Sequence, residues 1–245
     1  MCSMRNKYLN LLRDAVSDAL FEIEVKDNSK VYPEHILNGQ YWPSKAVSMI
    51  GIKRLDNIRE LLEDVIDKGV PGDFLEAGVW RGGALVYARG VLDCYGCRNR
   101  KVIGCDSFQG LPPPDTSKYP LDEGDTLHTV TYLAVSQEEV KNNLVRFGLY
   151  DPETVKFVPG FFSESLRGPL PFTQLAVLRL DGDMYSSTIE TLDALYDKVS
   201  PGGYVIIDDY ALPGCHHATN DFLAKRNIKT PLEVIDWSGR YFKKA

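Results

Sequence analysis

Short apolar runs alternate with helical stretches through most of the chain, and this alternation predicts an α/β fold. Buried strands are expected where a brief apolar run is bounded by turn-forming residues, at 73–77, 101–106, 155–158, 175–180 and 204–207. Helical patterns fill intervals between them, at about 84–95 and 135–147 and between the last two strands. Strands joined by helices run parallel, so their carboxyl ends share one sheet edge, where α/β proteins bind ligands.

Further helices and a terminal hairpin complete the expected architecture. Apolar residues recur at helical spacing in three other segments, 3–21, 52–67 and 215–226. Two final strands, at 232–237 and 240–243, are joined by Ser238-Gly239, a two-residue link typical of an antiparallel hairpin. We therefore expect an α/β protein with a doubly wound, mostly parallel sheet of seven strands that ends in this hairpin.

The chain is expected to divide near residue 70. Residues 1–70 would form an N-terminal helical cap and lid, and 71–245 would form the ligand-binding domain built on the sheet. Within the cap, segment 22–48 mixes Pro, Gly and aromatic residues, which suits either a surface strap or a lid over a site. The polar segment 109–135 is a second long loop, and loops of that length are commonly functional or disordered.

Charge and composition argue against several classes of protein. The formal net charge of −6 and the isoelectric point near 5.3 disfavour a nucleic-acid partner. No apolar run approaches the roughly 18 residues of a membrane span, and the N-terminus lacks the apolar core of a secretory signal. The five cysteines are an odd number, which argues against a disulfide framework. We expect a cytoplasmic protein that acts on a small molecule, with no nucleic-acid or membrane partner.

The glycine-rich turn after the first strand favours S-adenosylmethionine over a dinucleotide. Trp80 stands where a dinucleotide fingerprint requires glycine, and Glu76 would repel a pyrophosphate. The amine and positive centre of S-adenosylmethionine suit that carboxylate. Gly78 would let the donor approach the backbone, and the helix beginning at Gly82 and Gly83 would face its carboxylate.

Asp106 ends the second strand and has two possible roles. A carboxylate at that position can accept both ribose hydroxyls of a nucleotide-like ligand. It could instead only cap the turn Ser107-Phe108-Gln109-Gly110. We expect ribose binding, with Ser107 beside it in the donor site.

Three aspartates at the ends of successive strands predict a metal site. Asp181 follows one strand, and Asp208 with Asp209 follows the next, so their carboxylates should meet at the same edge. Such a cluster would raise the pKa of its members unless it is compensated, and few lysines or arginines lie nearby in sequence. All-oxygen ligands favour Mg²⁺.

A metal beside a methyl donor indicates a specific chemistry. A substrate hydroxyl next to Mg²⁺ loses its proton more readily and can attack the sulfonium methyl group. Asp181 is the preferred general base, because a carboxylate next to the metal can reach that hydroxyl. Asp183 and His128 are alternatives, although a solvated loop position fits His128 nearly as well.

Several motifs in this chain resemble the macrocin O-methyltransferase family. They are SMIGIKRL at 48–55, GDFLEAGVWRGG at 72–83, DSFQGLP at 106–112, LRLDGDMY at 178–185 and SPGGYVIIDDY at 200–210. The resemblance covers roughly residues 40–245. That family includes enzymes that methylate sugar hydroxyls of mycinamicin, tylosin and novobiocin precursors.

The resemblance implies a class I, Rossmann-like methyltransferase with S-adenosylmethionine and Mg²⁺, which is a homo-oligomer, commonly a dimer, and acts on a glycosylated natural product. It implies donor contacts at Met49, Glu76, Gly78, Gly82, Gly83, Asp106 and at Gly160, Phe161 and Phe162 around the adenine. It implies metal ligands Asp181, Asp208 and Asp209, with Asp181 as base. Lid positions implied by the family are Trp42, Leu127 and His128, and Asp183 is a candidate substrate contact.

Three other interpretations compete with this one. Asp181-Gly182-Asp183 fits the metal motif of a glycosyltransferase, but the Glu76 turn and Asp208-Asp209 would then have no role. A methyltransferase acting on phenols or catechols is hard to separate from one acting on sugars. A non-catalytic scaffold is disfavoured by the intact aspartates.

Overall fold

The computed structural model describes residues 3–20 and 33–245, and it forms one seven-stranded sheet. The strands are β1 (Asp73–Ala77), β2 (Val102–Asp106), β3 (Val155–Pro159), β4 (Leu175–Leu180), β5 (Val199–Ile207), β6 (Glu233–Val234) and β7 (Arg240–Lys243). Their order is β3-β2-β1-β4-β5-β7-β6. The first five are parallel, and β7 is antiparallel to both neighbours. The predicted fold class is confirmed.

Helices flank the sheet on both faces. Those described are α1 (Met4–Val16), α2 (Pro33–Asn38), α3 (Gly51–Asp67), α4 (Gly83–Cys94), α5 (Gln137–Arg146), α6 (Phe162–Ser165), α7 (Tyr185–Leu195) and α8 (Pro213–Lys225). Side chains cap two of them: Ser3 accepts from the Asn6 amide at α1, and Ser136 accepts from the Glu139 amide at α5. None of the described helices combines the length and apolar character that a membrane crossing requires.

Alternate residues of each strand supply two separate cores. Phe74 and Val177 point to the face covered by α1, α3, α4 and α5, whereas Leu75 and Leu178 point to the face covered by α7 and α8. All four are essentially inaccessible to solvent. Parallel strands buried on both faces read as continuous apolar runs, which explains why these strands were evident in the sequence.

The fifth strand begins earlier than predicted. It starts at Val199 rather than 204, because the Ser200-Pro201-Gly202-Gly203 segment remains in the sheet instead of forming a turn. A register shift between Leu175 and Val177 on the neighbouring β4 accommodates the extra residues.

The C-terminal hairpin also differs from its prediction. Strand β6 contains only two residues, and the link to β7 spans 235–239 rather than two residues. The reason is Asp236, whose Oδ1 accepts hydrogen bonds from the amides of Ser238 (2.9 Å) and Gly239 (2.6 Å). These bonds form a local turn where the prediction expected hydrogen bonds between the two strands.

The predicted strap or lid is in part a closed loop. Residues 21–32 lie outside the described part of the chain, and the predicted helix at 3–21 ends at Val16. Residues 39–50 form a loop from the end of α2 to the start of α3. The two ends of this loop are in contact, because a Cβ at Gly51 would lie 2.2 Å from the Gly39 nitrogen. Arg81 Nη1 donates to the carbonyls of Ser44 and Ala46, which fastens the loop to the turn after β1.

Candidate active site

A cavity of about 420 Å³ opens at the carboxyl ends of the parallel strands. That volume is in the range of small-molecule sites. Most predicted site residues line it, namely Trp42, Met49, Glu76, Gly78, Gly83, Asp106, Ser107, Leu127, Phe161, Phe162, Asp181, Asp183, Asp208 and Asp209.

Three predicted site residues lie outside the cavity lining. Gly82 has positive φ at the start of α4, where a Cβ would lie 2.7 Å from Val140 Cγ1 of α5. The Gly160 amide donates to the Asp106 carbonyl (2.8 Å), which continues the pairing of β3 with β2. His128 is exposed in the 3₁₀ turn Leu127–Thr129. The structure therefore does not bring the His128 side chain to the aspartates.

The three predicted metal ligands meet at the base of the cavity. One carboxylate oxygen from each of Asp181, Asp208 and Asp209 lies within 4.8 Å of the others. Their backbones extend the sheet, since the Asp181 amide donates to Ala77 O and the Asp208 amide to Leu180 O, both over 2.8–2.9 Å. Parallel pairing of β4 with β5 thus produces the cluster, as their spacing in sequence predicted.

Two buried arginines contact this cluster, although few lysines or arginines lie near its aspartates in sequence. Arg179 is fully buried and pairs with Glu76, Asp181 and Asp208. Arg54 of α3 pairs with Asp208, and its Nε donates to Asp236 Oδ2 over 2.8 Å. Arg179 was overlooked within an apolar strand, and Arg54 lies 154 residues from Asp208, a separation that no local pattern bridges.

Carboxyl groups nevertheless outnumber cations in the cavity. Arg54 is the one cationic side chain among the described lining residues, and Arg179 lies behind them. Seven lining residues carry carboxyl groups, namely Glu76, Asp106, Asp181, Asp183, Glu190, Asp208 and Asp209. Close carboxylates disfavour ionisation of one another, so this site favours ligands that bring positive charge.

Asp181, Asp209 and the adjacent Asp183 have raised pKa values. Burial raises the pKa of Asp181, and the neighbouring Asp208 charge raises it further. Burial and the charge of Asp183 hold the pKa of Asp209 well above its usual value. Burial, followed by the Asp181 charge, raises the pKa of Asp183 to about 8. Asp183 also has a left-handed backbone (φ 60°), and its amide donates to Asp209 Oδ2 over 3.0 Å.

Glu76 lines the cavity and keeps one carboxylate oxygen without a hydrogen-bond partner among the described residues. Its Oε1 accepts from Arg179, whereas its buried Oε2 has no hydrogen-bond partner among the described residues. Burial raises the pKa of Glu76 to about 8, against the opposing effect of Arg179. A buried acceptor without a partner is costly, so it calls for a donor from a ligand.

Asp106 is engaged by the protein itself. The amides of Val79 (2.8 Å) and Phe108 (2.7 Å) donate to its two carboxylate oxygens, so it fastens the turns after β1 and β2. It also lines the cavity, and burial raises its pKa. The capping role is thus present, and a ligand contact would be additional to it.

Aromatic contacts connect the loop at 39–50 with the loop after β2 and with the glycine turn after β1. Trp42 stacks on Tyr132 with ring centroids 5.3 Å apart and planes within 6°. Trp80 Nε1 donates to the Tyr132 carbonyl (3.0 Å), and the Tyr132 hydroxyl donates to Pro43 O. The Arg81 guanidinium lies 4.4 Å from the Trp80 ring centroid. The loop at 39–50, the loop after β2 and the glycine turn are therefore held together.

The sequence contained no evident signal for one part of the cavity wall. It comprises Arg54, Trp237 and Ser238, all of which line the cavity, with Asp236 behind them. Only the Asp-x-Ser-Gly pattern at 236–239, which is typical of an Asx turn, could have indicated that these residues leave the strand.

Comparison with known proteins identifies the family of this chain. The family profile described as Macrocin-O-methyltransferase (TylF) matches residues 6–244. The demethyldecarbamoylnovobiocin O-methyltransferase of Streptomyces niveus is 44% identical, over 97% of this chain and 93% of its own. The 8-demethyl-8-(2,3-dimethoxy-alpha-L-rhamnosyl)-tetracenomycin-C 4'-O-methyltransferase of Streptomyces olivaceus is 40% identical, over 98% and 93%.

A solved structure supports the same assignment. The structure of the O-methyltransferase NovP matches with a TM-score of 0.94 at 43% identity, over 98% of this chain and 99% of that one. The glycosyltransferase and scaffold interpretations are therefore set aside. This chain belongs to the macrocin O-methyltransferase family of S-adenosylmethionine-dependent O-methyltransferases.

Proposed function

We propose that this protein is a Mg²⁺-dependent O-methyltransferase that methylates a sugar hydroxyl of a glycosylated natural product. The observation that carries the proposal is one cavity lined both by Glu76, whose buried Oε2 has no described hydrogen-bond partner, and by three clustered aspartates. A cationic donor and a divalent cation would both find negative charge there. Sugar acceptors are supported by the tetracenomycin relative, whose name specifies a rhamnosyl group.

The donor would lie between the glycine turn and the end of β3. Glu76 Oε2 would accept from its amino group, and Asp106 would accept from its ribose hydroxyls. Phe161 and Phe162, which line the cavity beyond β3, would pack against the adenine. S-adenosylmethionine supplies its methyl group as a sulfonium, which is a strong electrophile. Gly78 also lines the cavity, and the absence of a Cβ there admits the Asp181 carbonyl oxygen, which would lie 1.7 Å from one.

The acid cluster fits a hard divalent cation. Asp181 Oδ2 accepts from Arg179 and Asp209 Oδ2 from the Asp183 amide, so each residue keeps one oxygen with no described hydrogen-bond partner. Asp208 would have to share oxygens that already accept from Arg54 and Arg179. When bound, Mg²⁺ would favour deprotonation of an adjacent hydroxyl and neutralise part of the cluster.

Asp181 would act as the general base. Its raised pKa, due first to burial, makes it a better proton acceptor than an exposed aspartate. It would take the hydroxyl proton as the substrate oxygen bonds to the methyl carbon and the carbon–sulfur bond breaks. Arg179 would keep the Asp181 carboxylate in place through its 2.8 Å hydrogen bond.

The resemblance and the sequence support a proposal for the quaternary state and the location. A homodimer in the cytoplasm is the arrangement we propose, and the cap at 1–70 would serve as the lid of the domain at 71–245. Sedimentation of the purified protein would test the dimer directly.

Two measurements test the proposed function. Calorimetry should detect binding of S-adenosylmethionine to the purified protein. Methyl transfer to a panel of rhamnosides and catechols should stop with EDTA and return with added Mg²⁺. Transfer that persists in EDTA would overturn the metal requirement, and methylation of catechols alone would move the acceptor to the phenolic class.

A further inference from the structure

Trp237 occupies an unusual position at the mouth of the cavity. It lies in the turn between β6 and β7, lines the cavity, and is still 49% exposed. Its Nε1 donates to the Asn38 carbonyl over 2.8 Å, which fixes the ring and uses its polar atom. No other aromatic ring among the described residues stacks on it. Towards the cavity, Trp237 therefore presents an apolar ring rather than a hydrogen-bond donor.

The ring is tied to the metal-binding edge of the sheet. Asp236 Oδ1 holds the turn through the amides of Ser238 and Gly239, and its Oδ2 accepts from Arg54. Arg54 pairs in turn with Asp208. Ser238 Oγ also donates to the Asp208 carbonyl over 2.8 Å. Two independent connections therefore fix the position of the turn relative to Asp208.

The other half-exposed tryptophan of the cavity is differently placed. Trp42 is 46% exposed, but the parallel ring of Tyr132 covers one of its faces at 5.3 Å. The contacts of Trp42 thus join the loop at 39–50 to the loop after β2. For the Trp237 ring, the contact found within the described ranges is with the Arg54 guanidinium, 5.8 Å from the ring centroid.

A pyranose ring matches this combination of surfaces. Its hydroxyl groups point outward around the ring and can donate to several carboxylates, whereas its C–H groups form an apolar face that packs on an aromatic ring. We propose that Trp237 is the platform on which the acceptor sugar lies, and that Arg54 and Asp236 hold this platform in register with the acid cluster. This inference rests on the proposed function and assigns the part of the site that selects the acceptor.

Binding of a simple sugar to the full chain tests the inference. The probe is methyl α-L-rhamnopyranoside, added to protein saturated with S-adenosylhomocysteine and Mg²⁺ and followed by saturation-transfer NMR and titration. We expect Trp237→Ala to raise its Kd about tenfold or more, since ring stacking and apolar burial are both lost. Trp237→Phe keeps an aromatic face and should stay within about threefold of the wild type.

Controls separate this inference from the proposed function. Val234→Ala alters an exposed residue of the same hairpin that does not line the cavity, and it should leave the sugar Kd unchanged. Calorimetry with S-adenosylhomocysteine should give the same affinity for every variant, which reports folding and an intact donor site. Equal sugar affinity in wild type and Trp237→Ala, or no sugar binding to wild type, overturns the inference. If the wild-type protein does not bind the methyl donor, or shows no metal-dependent methyl transfer, the proposed function is overturned instead.

Discussion

Arg179 Nη1 donates to Asp181 Oδ2 over 2.8 Å, and one residue separates the two in sequence at the end of β4. The same guanidinium pairs with Glu76 at the end of β1 and with Asp208 after β5. Arg179 is wholly buried. One positive group therefore holds together carboxylates from three neighbouring strands, and it connects the donor side of the cavity with the aspartate cluster.

Replacement of Arg179 should weaken the whole fold. Arg179→Gln removes the buried counter-ion that Glu76, Asp181 and Asp208 share, although Asp208 keeps its pair with Arg54. We expect a loss of about 3–5 kcal/mol in the free energy of unfolding. Urea denaturation at neutral pH would measure it. Arg226→Gln, which removes a solvent-exposed pair with Asp197, should cost no more than about 1 kcal/mol. Equal losses in the two variants would contradict the structural role of Arg179.

Asp181→Asn should abolish turnover without abolishing donor binding. The amide keeps the shape of the side chain but does not accept a proton, so we expect methyl transfer to fall about 100-fold or more. Affinity for S-adenosylhomocysteine, measured by calorimetry, should stay close to that of the wild type. His128→Ala should retain activity, because His128 is exposed outside the cavity.

Asp183→Asn is the matched test for the identity of the base. It should keep more activity than Asp181→Asn if Asp181 takes the proton. An active Asp181→Asn together with an inactive Asp183→Asn would transfer the role to Asp183. Rates with saturating donor and acceptor would decide between them.

Donor binding should release a proton from Glu76. With its pKa raised to about 8, Glu76 mostly holds a proton at pH 7. The ammonium group of the donor stabilises the carboxylate and lowers that pKa, so the complex binds fewer protons than the free protein. Release should approach about one proton near pH 7 and vanish well above pH 8.

Calorimetry in buffers of different ionisation enthalpy measures that release. Glu76→Gln has no carboxyl group to titrate and should bind the donor without this proton. The same release in the Gln variant would assign the proton to another group.

Gly78→Ala should be far more damaging than another glycine replacement at positive φ. A Cβ at Gly78 would lie 1.7 Å from the Asp181 carbonyl oxygen, so β1 and β4 would have to separate at the site. We expect a loss of about 3 kcal/mol or more in stability. Gly69→Ala shares the left-handed backbone (φ 64°) but meets nothing within 4 Å, and it should cost only about 1–2 kcal/mol. Thermal unfolding would compare the two variants.

Local pattern was sufficient for most of the fold. Strands such as β1 and β4 are buried on both faces, so their apolar runs were distinct and their predicted bounds agree with the structure. The start of β5 was missed because Pro201 and Gly202 are common in turns, whereas here a register shift keeps them in the sheet. The hairpin was misjudged because the bonds of Asp236 outweigh strand propensity.

The candidate site was predictable where strand ends determine it. Asp181 and Asp208 converge because parallel strands share an edge, and this required only their positions in sequence. Arg54 and Trp237 reach the cavity through contacts between segments far apart in the chain, such as the bond of Trp237 to Asn38. Contacts of that kind depend on tertiary packing, which periodicity does not encode.

The surplus of carboxyl groups around the cavity also bears on how a catalytic cycle would end. Methyl transfer turns the donor sulfonium into an uncharged thioether, while the seven lining carboxyl groups remain. S-adenosylhomocysteine therefore lacks the sulfonium charge through which the carboxyl groups attract S-adenosylmethionine. Electrostatics alone then favours replacement of the product by a new donor molecule. On this view, the acidity that gathers the reactants also limits inhibition by the product.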